Sequence, residues 1–321
     1  MEARVRAISP LNQILHKREF RKRNRSRALF VTSFLIIPII NFIVFYIYVN
    51  IDSFVMAFQK FDPVTTEEVF TTENFSRIWQ MLVTGDAKSA LIKESLLNTL
   101  LFFGVNTIII MPITIFFCYF LYKKVSGYRF FRAVMYMPCI IASSALVALY
   151  KISLGTGGLY EAVIKLFGGK YMYPFATDAT YSQAMSFIMI YNVVFGIGAN
   201  IIVISGAMNA IDKEILEAAQ IDGCNWFDEF FRIVLPAIWP TLSTIIILTV
   251  ASFLGSSGPI LAFDQGSHQT HTLSFYIFAL VSGMANETHG EYLASAIGLC
   301  MTVISFPLAL VVKRVVYGKE K

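Results

Sequence analysis

Six long apolar runs divide this chain of 321 residues, and they limit what it can become. They are Ala28–Asn50, Ser95–Tyr122, Phe131–Tyr150, Ala184–Ala207, Ala237–Phe263 and Leu293–Val312. A helix of about 20 apolar residues crosses roughly 30 Å of hydrocarbon. Each run reaches that length, so the chain reads as an all-α membrane protein with six transmembrane helices. Hydrophobic residues make up 56% of the sequence and charged ones 15%, which excludes a soluble domain of ordinary makeup. Pro38, Pro112, Pro138, Pro240 and Pro307 lie within the runs and predict bends. Asn98 and Asn106 interrupt the second run, and Gly255-Ser256-Ser257-Gly258-Pro259 breaks the fifth.

Charge placement sets the orientation. With six spans, both termini share one side with the segments 123–132 and 207–236. That side carries most of the 26 lysines and arginines, nine of them before Ala28. Positive residues stay on the cytosolic side, so both termini are expected to be cytoplasmic. Residues 1–27 then form a basic cytoplasmic tail, 28–312 the membrane domain and 313–321 a short tail. The basic region is longer than that of a signal peptide, and no small-residue cleavage site is read after the first apolar run. The net charge of +5 is a topological signal and predicts no nucleic-acid partner.

Between the fourth and fifth runs lies a polar island, Asn209 to Pro236. It reads as two short helices joined by a turn. Asp212 and Glu214 suit the positive end of the first helix. Ile211, Ile215, Leu216 and Ala219 form a narrow apolar face. Gly223 follows the last good helical residue, where a left-handed cap favours glycine. Asn225, with Asp228 three residues on, can cap the second helix. Pro236 is expected to limit further helix.

The pattern Glu217-Ala218-Ala219, Gly223, then Ile233-x-Leu235-Pro236 resembles the Glu-Ala-Ala loop of binding-protein-dependent ABC importer permeases. Asp222 before Gly223 is also usual in that family, whereas Cys224 stands where alanine is commoner. Looser matches extend the likeness along the chain: Met56-Ala57-Phe58-Gln59, Phe61-Asp62-Pro63, Asn74-Phe75 and Asn98-Thr99. These are similar to the early segments of the carbohydrate-uptake members, which include the maltose and glycerol-phosphate permeases. The resemblance implies the type I ABC importer permease fold, with five core helices around a pathway and one at the periphery. It also implies that the 209–236 loop docks onto a separate ABC ATPase subunit, coupling through Glu217, Ala218, Ala219, Asp222, Gly223, Ile233, Leu235 and Pro236. Further implied partners are a second permease subunit of different sequence, an extracytoplasmic solute-binding protein and a carbohydrate substrate. The setting is the bacterial plasma (inner) membrane, among its lipids.

Residue chemistry is consistent with a non-catalytic subunit. There is no Gly-x-x-x-x-Gly-Lys-Ser/Thr sequence, so ATP and magnesium are expected on the partner ATPase and no cofactor on this chain. Cys118, Cys139, Cys224 and Cys300 lack paired spacing and read as small apolar fillers. His268 and His271 lack accompanying ligands, so a solvated loop is expected there in place of a metal site. Asp264 and Glu291 are expected to reach the membrane interface. The spans contain few ionisable residues, which argues against a proton-driven carrier.

A sugar needs hydrogen-bond partners and aromatic faces. Tyr191, Asn192, Asn200, Ser252, Ser256 and Ser257 are candidates for the pathway, with Asn98 and Asn106; the alternative is that these groups bond across helices and hold the bundle together. The glycine-rich break is expected to border the path. Helical spacing after Asn74 (Phe75, Ile78, Trp79, Leu82) and over Leu159, Val163, Leu166 and Phe167 predicts two surface helices outside the membrane. They read equally as a docking rim for a binding protein or as caps over the bundle. Amino-acid or peptide import is the alternative cargo class, and a secondary carrier or membrane enzyme the alternative function.

Overall fold

The computed structural model describes residues 30–62, 67–83, 87–285 and 287–318. The basic stretch 1–27 and the last three residues of the 313–321 tail lie outside the described residues. The chain separates into two compact units, one ending at Met56 and the other starting at Ala57. Almost all of the first unit that is described belongs to a single helix, α1 (Phe30–Ala57), which is long and apolar enough to cross a membrane. Its middle, Phe42–Tyr48, is a π-helical turn. Two polar side chains in α1 bond back onto its own backbone: Asn50 Nδ2 donates to the Tyr46 carbonyl and Ser53 Oγ to that of Val49.

The second unit begins with an antiparallel hairpin, β1 (Gln59–Asp62) with β2 (Glu67–Phe70), in the register Gln59 opposite Phe70. The hairpin corrects the expectation of a purely helical chain: two four-residue strands are too short to stand out by periodicity beside long apolar runs. It is held by polar contacts from later elements. Asn74, on the surface helix α2 (Glu73–Val83), is buried and donates to the carbonyls of Ala57 and Gln59. Tyr292 donates its hydroxyl to Glu68, 2.9 Å away.

Three more helices are long and apolar enough to span: α3 (Ala90–Tyr122), α7 (Tyr181–Asn209) and α13 (Gly290–Tyr317). Between α3 and α7 lie α4 (Tyr128–Ile140), α5 (Ser143–Leu154) and α6 (Leu159–Leu166). Between α7 and α13 lie α8 (Lys213–Ile221), α9 (Trp226–Ala237), α10 (Trp239–Ser252), α11 (Ile260–Phe263) and α12 (Leu273–Val281). Two of the expected spans are bent pairs. The chain turns by 107° between α4 and the α5–α6 segment, and by 67° between α9 and α10. The chain thus has four candidate spans among the described residues, or six if each bent pair is one span.

The first bend has a backbone cause. Ile141 and Ala142 are extended (ψ 139° and 133°), so the run Phe131–Tyr150 is not one helix although its side chains are uniformly apolar. Pro138 sits inside α4 without breaking it. At the second bend Pro236 does not end its helix, contrary to expectation. It sits in the last turn of α9, directly after the π-helical turn Glu229–Val234, and the break falls at Ile238.

The interior divides into three apolar clusters. One joins the ends of α3 and α7 to α9 and α10, through Tyr119, Ile204, Met208, Phe230 and Val234. Another packs α12 and α13 with the start of α3, and a third surrounds Tyr191, Phe263 and Phe275. Helix α12 was not expected: it is apolar and deeply packed, yet only nine residues long, so it lies inside the segment read as external. The expected surface helices do form as α2 and α6; Trp79, Leu159 and Leu166 on them are exposed, as is Phe167 just past the end of α6.

The loop carrying His268 and His271 is packed, which corrects the solvated-loop expectation. His268 contacts the Asp264 carboxylate and the Ala176 carbonyl through its two ring nitrogens, at 3.2 and 3.0 Å. Asp264 likewise folds inward, accepting from the Gly266 N–H and the Thr270 hydroxyl.

Candidate functional site

The polar island forms the helical hairpin α8–α9. Asp212 is the N-cap of α8, its Oδ1 accepting from the Glu214 N–H at 3.1 Å. The C-terminus closes with Cys224 N–H donating to the Ala219 carbonyl (3.0 Å) and Gly223 N–H to that of Gln220 (3.1 Å). This is the six-to-one and five-to-two pairing of a Schellman cap, which needs a left-handed residue at Gly223. Gly223 has φ +78°, and a Cβ there would meet no atom within 4 Å. The requirement for glycine is therefore one of backbone conformation, with no steric component from neighbours.

Asn225 starts α9, accepting from the N–H groups of Phe227 and Asp228 at 2.9 Å while its own amide donates to Asp228. One face of the hairpin is anchored. Ala219 is buried, and Ile211 and Leu216 pack on the cluster that contains Tyr119 and Phe230. Lys123 at the end of α3 pairs with Glu229 at 2.7 Å, and the Glu229 side chain is only 4% exposed. Tyr119 donates its hydroxyl to the Trp226 carbonyl. The lower part of α9, Glu229–Val234, is a π-helical turn.

The other face is open. Glu217, Ala218, Asp222 and Gly223 are exposed, as are Ile215, Ile221, Trp226, Phe227 and Phe231. Ile221 is 87% exposed at the tip of the turn. Ile233 and Leu235 are half-buried at the base, with Pro236 exposed beside them. The expected coupling residues therefore fall into an anchored base and an exposed tip.

A second feature lies between α3, α7 and α10: a cleft of about 310 Å³. Asn200, Ser252 and Ser256 line it, along with Asn106. Of the glycine-rich break 255–259, which follows the end of α10 at Ser252, Ser256 contributes to the wall. Gly196 also borders the cleft, with the Ile110 side chain close against it. Tyr191, Asn192 and Ser257 stand outside the lining. Tyr191 is buried among Tyr150, Phe195 and Phe263. Asn192 donates to the side chain of lining residue Asn106 at 3.2 Å, and Ser257 accepts from Thr272 through its carbonyl. Thr107, which sequence reasoning missed, lines the cleft with a buried hydroxyl that has no hydrogen-bond partner. A threonine within an apolar run carries no separate signal.

Residues 89–318 match the model of a family described as "Binding-protein-dependent transport system inner membrane component". The chain belongs to this family. It is accordingly a multi-pass membrane protein, and the resemblance carried by Glu217 to Pro236 identified it correctly. Among its relatives is the "Probable ABC transporter permease protein YesP" of Bacillus subtilis, 25% identical over 81% of this chain and 82% of the other. The "Multiple sugar-binding transport system permease protein MsmF" of Streptococcus mutans is 24% identical over 85% and 90%. A chain of a bacterial alginate ABC transporter, solved with an alginate pentasaccharide-bound periplasmic protein, superposes with a TM-score of 0.76. That match has 20% identity and covers 90% of this chain and 94% of the other, so the two share a fold.

Proposed function

We propose that this family member is the permease subunit of an ATP-driven importer that moves a sugar or oligosaccharide into the bacterial cytoplasm by alternating access. The observation that carries the coupling role is the exposed tip of α8–α9. Ile221, Trp226 and Phe227 lie open on a polar hairpin, apart from the four unbroken candidate spans, and clustered exposed apolar side chains mark an interaction surface. Glu217 beside them supplies a carboxylate for a basic group on the partner. The base, locked by Lys123–Glu229 and by Ala219, transmits displacement of the tip to α3 and α10.

The partner is a separate ABC ATPase, which holds ATP and magnesium. The excess of basic residues on the hairpin side and at both termini supports a cytosolic position for all three. A second, paralogous permease and an extracytoplasmic solute-binding protein complete the assembly. The carbohydrate reading is supported by the relative named for multiple sugar binding and by the shared fold with the alginate transporter chain. The cleft lined by Asn106, Asn200, Ser252 and Ser256 offers polar groups without charge, as passage of hydroxylated cargo requires.

Reconstitution with the cognate ATPase tests this. Ile221→Glu should weaken ATPase binding by roughly tenfold or more, a loss of about 1.4 kcal/mol. Uptake in a panel of labelled oligosaccharides should fall with it. Unchanged affinity would remove the docking role, and uptake of amino acids or peptides in place of sugars would overturn the cargo.

A further inference from the structure

A larger cleft, of about 730 Å³, lies where α7 begins, at the end away from the polar hairpin. Tyr181 at the start of α7 lines it, and the 29 residues of that helix carry the chain roughly 40 Å to the hairpin. One wall comes from 173–181, with Tyr173, Phe175 and Tyr181. The other comes from the loop after α11, with Ser267 and Gln269, and Lys151 from α5 completes the lining.

Three observations mark this as a built site. First, both walls meet on one amide. Asn98 is 2% exposed; its Nδ2 donates to the carbonyls of Gln269 and His271, both at 2.8 Å, and its Oδ1 accepts from the Tyr181 hydroxyl at 2.7 Å. Secondly, two aromatic residues of the lining brace each other, Phe175 stacking on Phe263 at 5.4 Å and 28°. Thirdly, the polar groups are arranged to donate. Lys151 Nζ uses one hydrogen on the Phe263 carbonyl at 2.6 Å, which leaves two for the cleft. The Asp264 carboxylate in the lining is already met by Thr270, Gly266 and His268.

Aromatic faces beside free donors suit a sugar ring, which has an apolar face and a rim of hydroxyls. The volume falls within the range of small-ligand sites, about 300–1,000 Å³. The geometry points to a saccharide-binding subsite here, which receives cargo at the outer mouth before it reaches the membrane cleft. This rests on the carbohydrate reading above, and goes beyond it by placing a first contact at the outer ends of the spans.

Uptake kinetics with the assembled transporter in cells separate the two. The probes are labelled neutral gluco-oligosaccharides and acidic uronate oligosaccharides. For whichever sugar is transported, Lys151→Met and Tyr173→Ala should each raise KM by roughly tenfold, as for losing about 1.4 kcal/mol of binding, with kcat little changed. Membrane levels of each variant are checked against wild type. As a measurement independent of turnover, Ser267→Cys is labelled with a membrane-impermeant maleimide, and the increment over the parent chain is followed. The transported sugar should slow that labelling. Transport with unchanged KM in both variants and no protection would overturn the subsite and leave the importer reading intact. Absence of uptake and of protection for every sugar would overturn both.

Discussion

At the scale of single residues, two positions have effects that follow from backbone and burial alone. Gly223 adopts φ +78° in open space, so the cost of replacing it is conformational. Gly223→Asn should preserve ATP-coupled uptake, because asparagine tolerates left-handed backbone, whereas Gly223→Val should cost about 1–2 kcal/mol locally and disconnect the hairpin tip. Nucleotide hydrolysis measured alongside uptake will show whether the two separate. His271 is the second case. Burial lowers its pKa below the usual imidazole value, and the nearby Asp264 and Glu94 oppose the shift. The unfolded loop therefore binds more protons than the folded one as the pH drops below about 6.5. Stability of the 264–273 loop is full above that pH and falls as acidity increases. Amide hydrogen exchange at about pH 7.5 and 5.5 should detect the loss, and His271→Gln should flatten it.

At the scale of elements, the anchored base of α8–α9 makes a sharp prediction. Lys123→Met leaves the buried Glu229 carboxylate without its partner and should destabilise the hairpin by about 2–3 kcal/mol, while Lys123→Met with Glu229→Gln should recover part of that. Thermal unfolding of the purified chain in detergent reads both. The hairpin is also where local sequence was most informative. Asp212, Gly223 and Asn225 each act through their own or adjacent backbone, so their roles follow from type and position. Elements defined by distant contacts were hidden. The run Phe131–Tyr150 is apolar on both sides of the 107° bend, and extended backbone at Ile141 and Ala142 carries no compositional mark. Helix α12 is shorter than a span and so escaped a search for spans. His268 and His271 looked solvated because their acceptors, or the amide that pins their loop, lie far away in sequence, at Ala176 and Asn98. Of the pathway candidates, Asn200, Ser252 and Ser256 share one cleft, while Tyr191 has a packing environment that residue type alone does not disclose.

At the scale of the whole molecule, the family places the chain in the membrane as one part of a transport system. The proposed arrangement puts both ends of the chain in the cytosol. A carboxy-terminal tag should then be cleaved by protease in inside-out vesicles and resist it in intact cells or right-side-out vesicles; the reverse pattern would remove the cytosolic carboxy-terminus. Liposomes holding this chain without an ATPase should show no sugar flux, since the spans contain few ionisable residues through which an ion gradient could act.

The wide turn at Val105–Ile110, a third π-helical segment within α3, has a consequence for how the gene tolerates change. Such a turn holds one residue more than an ordinary one. Losing a codon there would tighten the turn and leave the faces before and after it in their present phase. The same loss within Met111–Tyr122 would rotate every later side chain of that helix by about 100°. A deletion scan should therefore find Val105–Ile110 more tolerant than Met111–Tyr122, except at Asn106, whose side chain lines the membrane cleft.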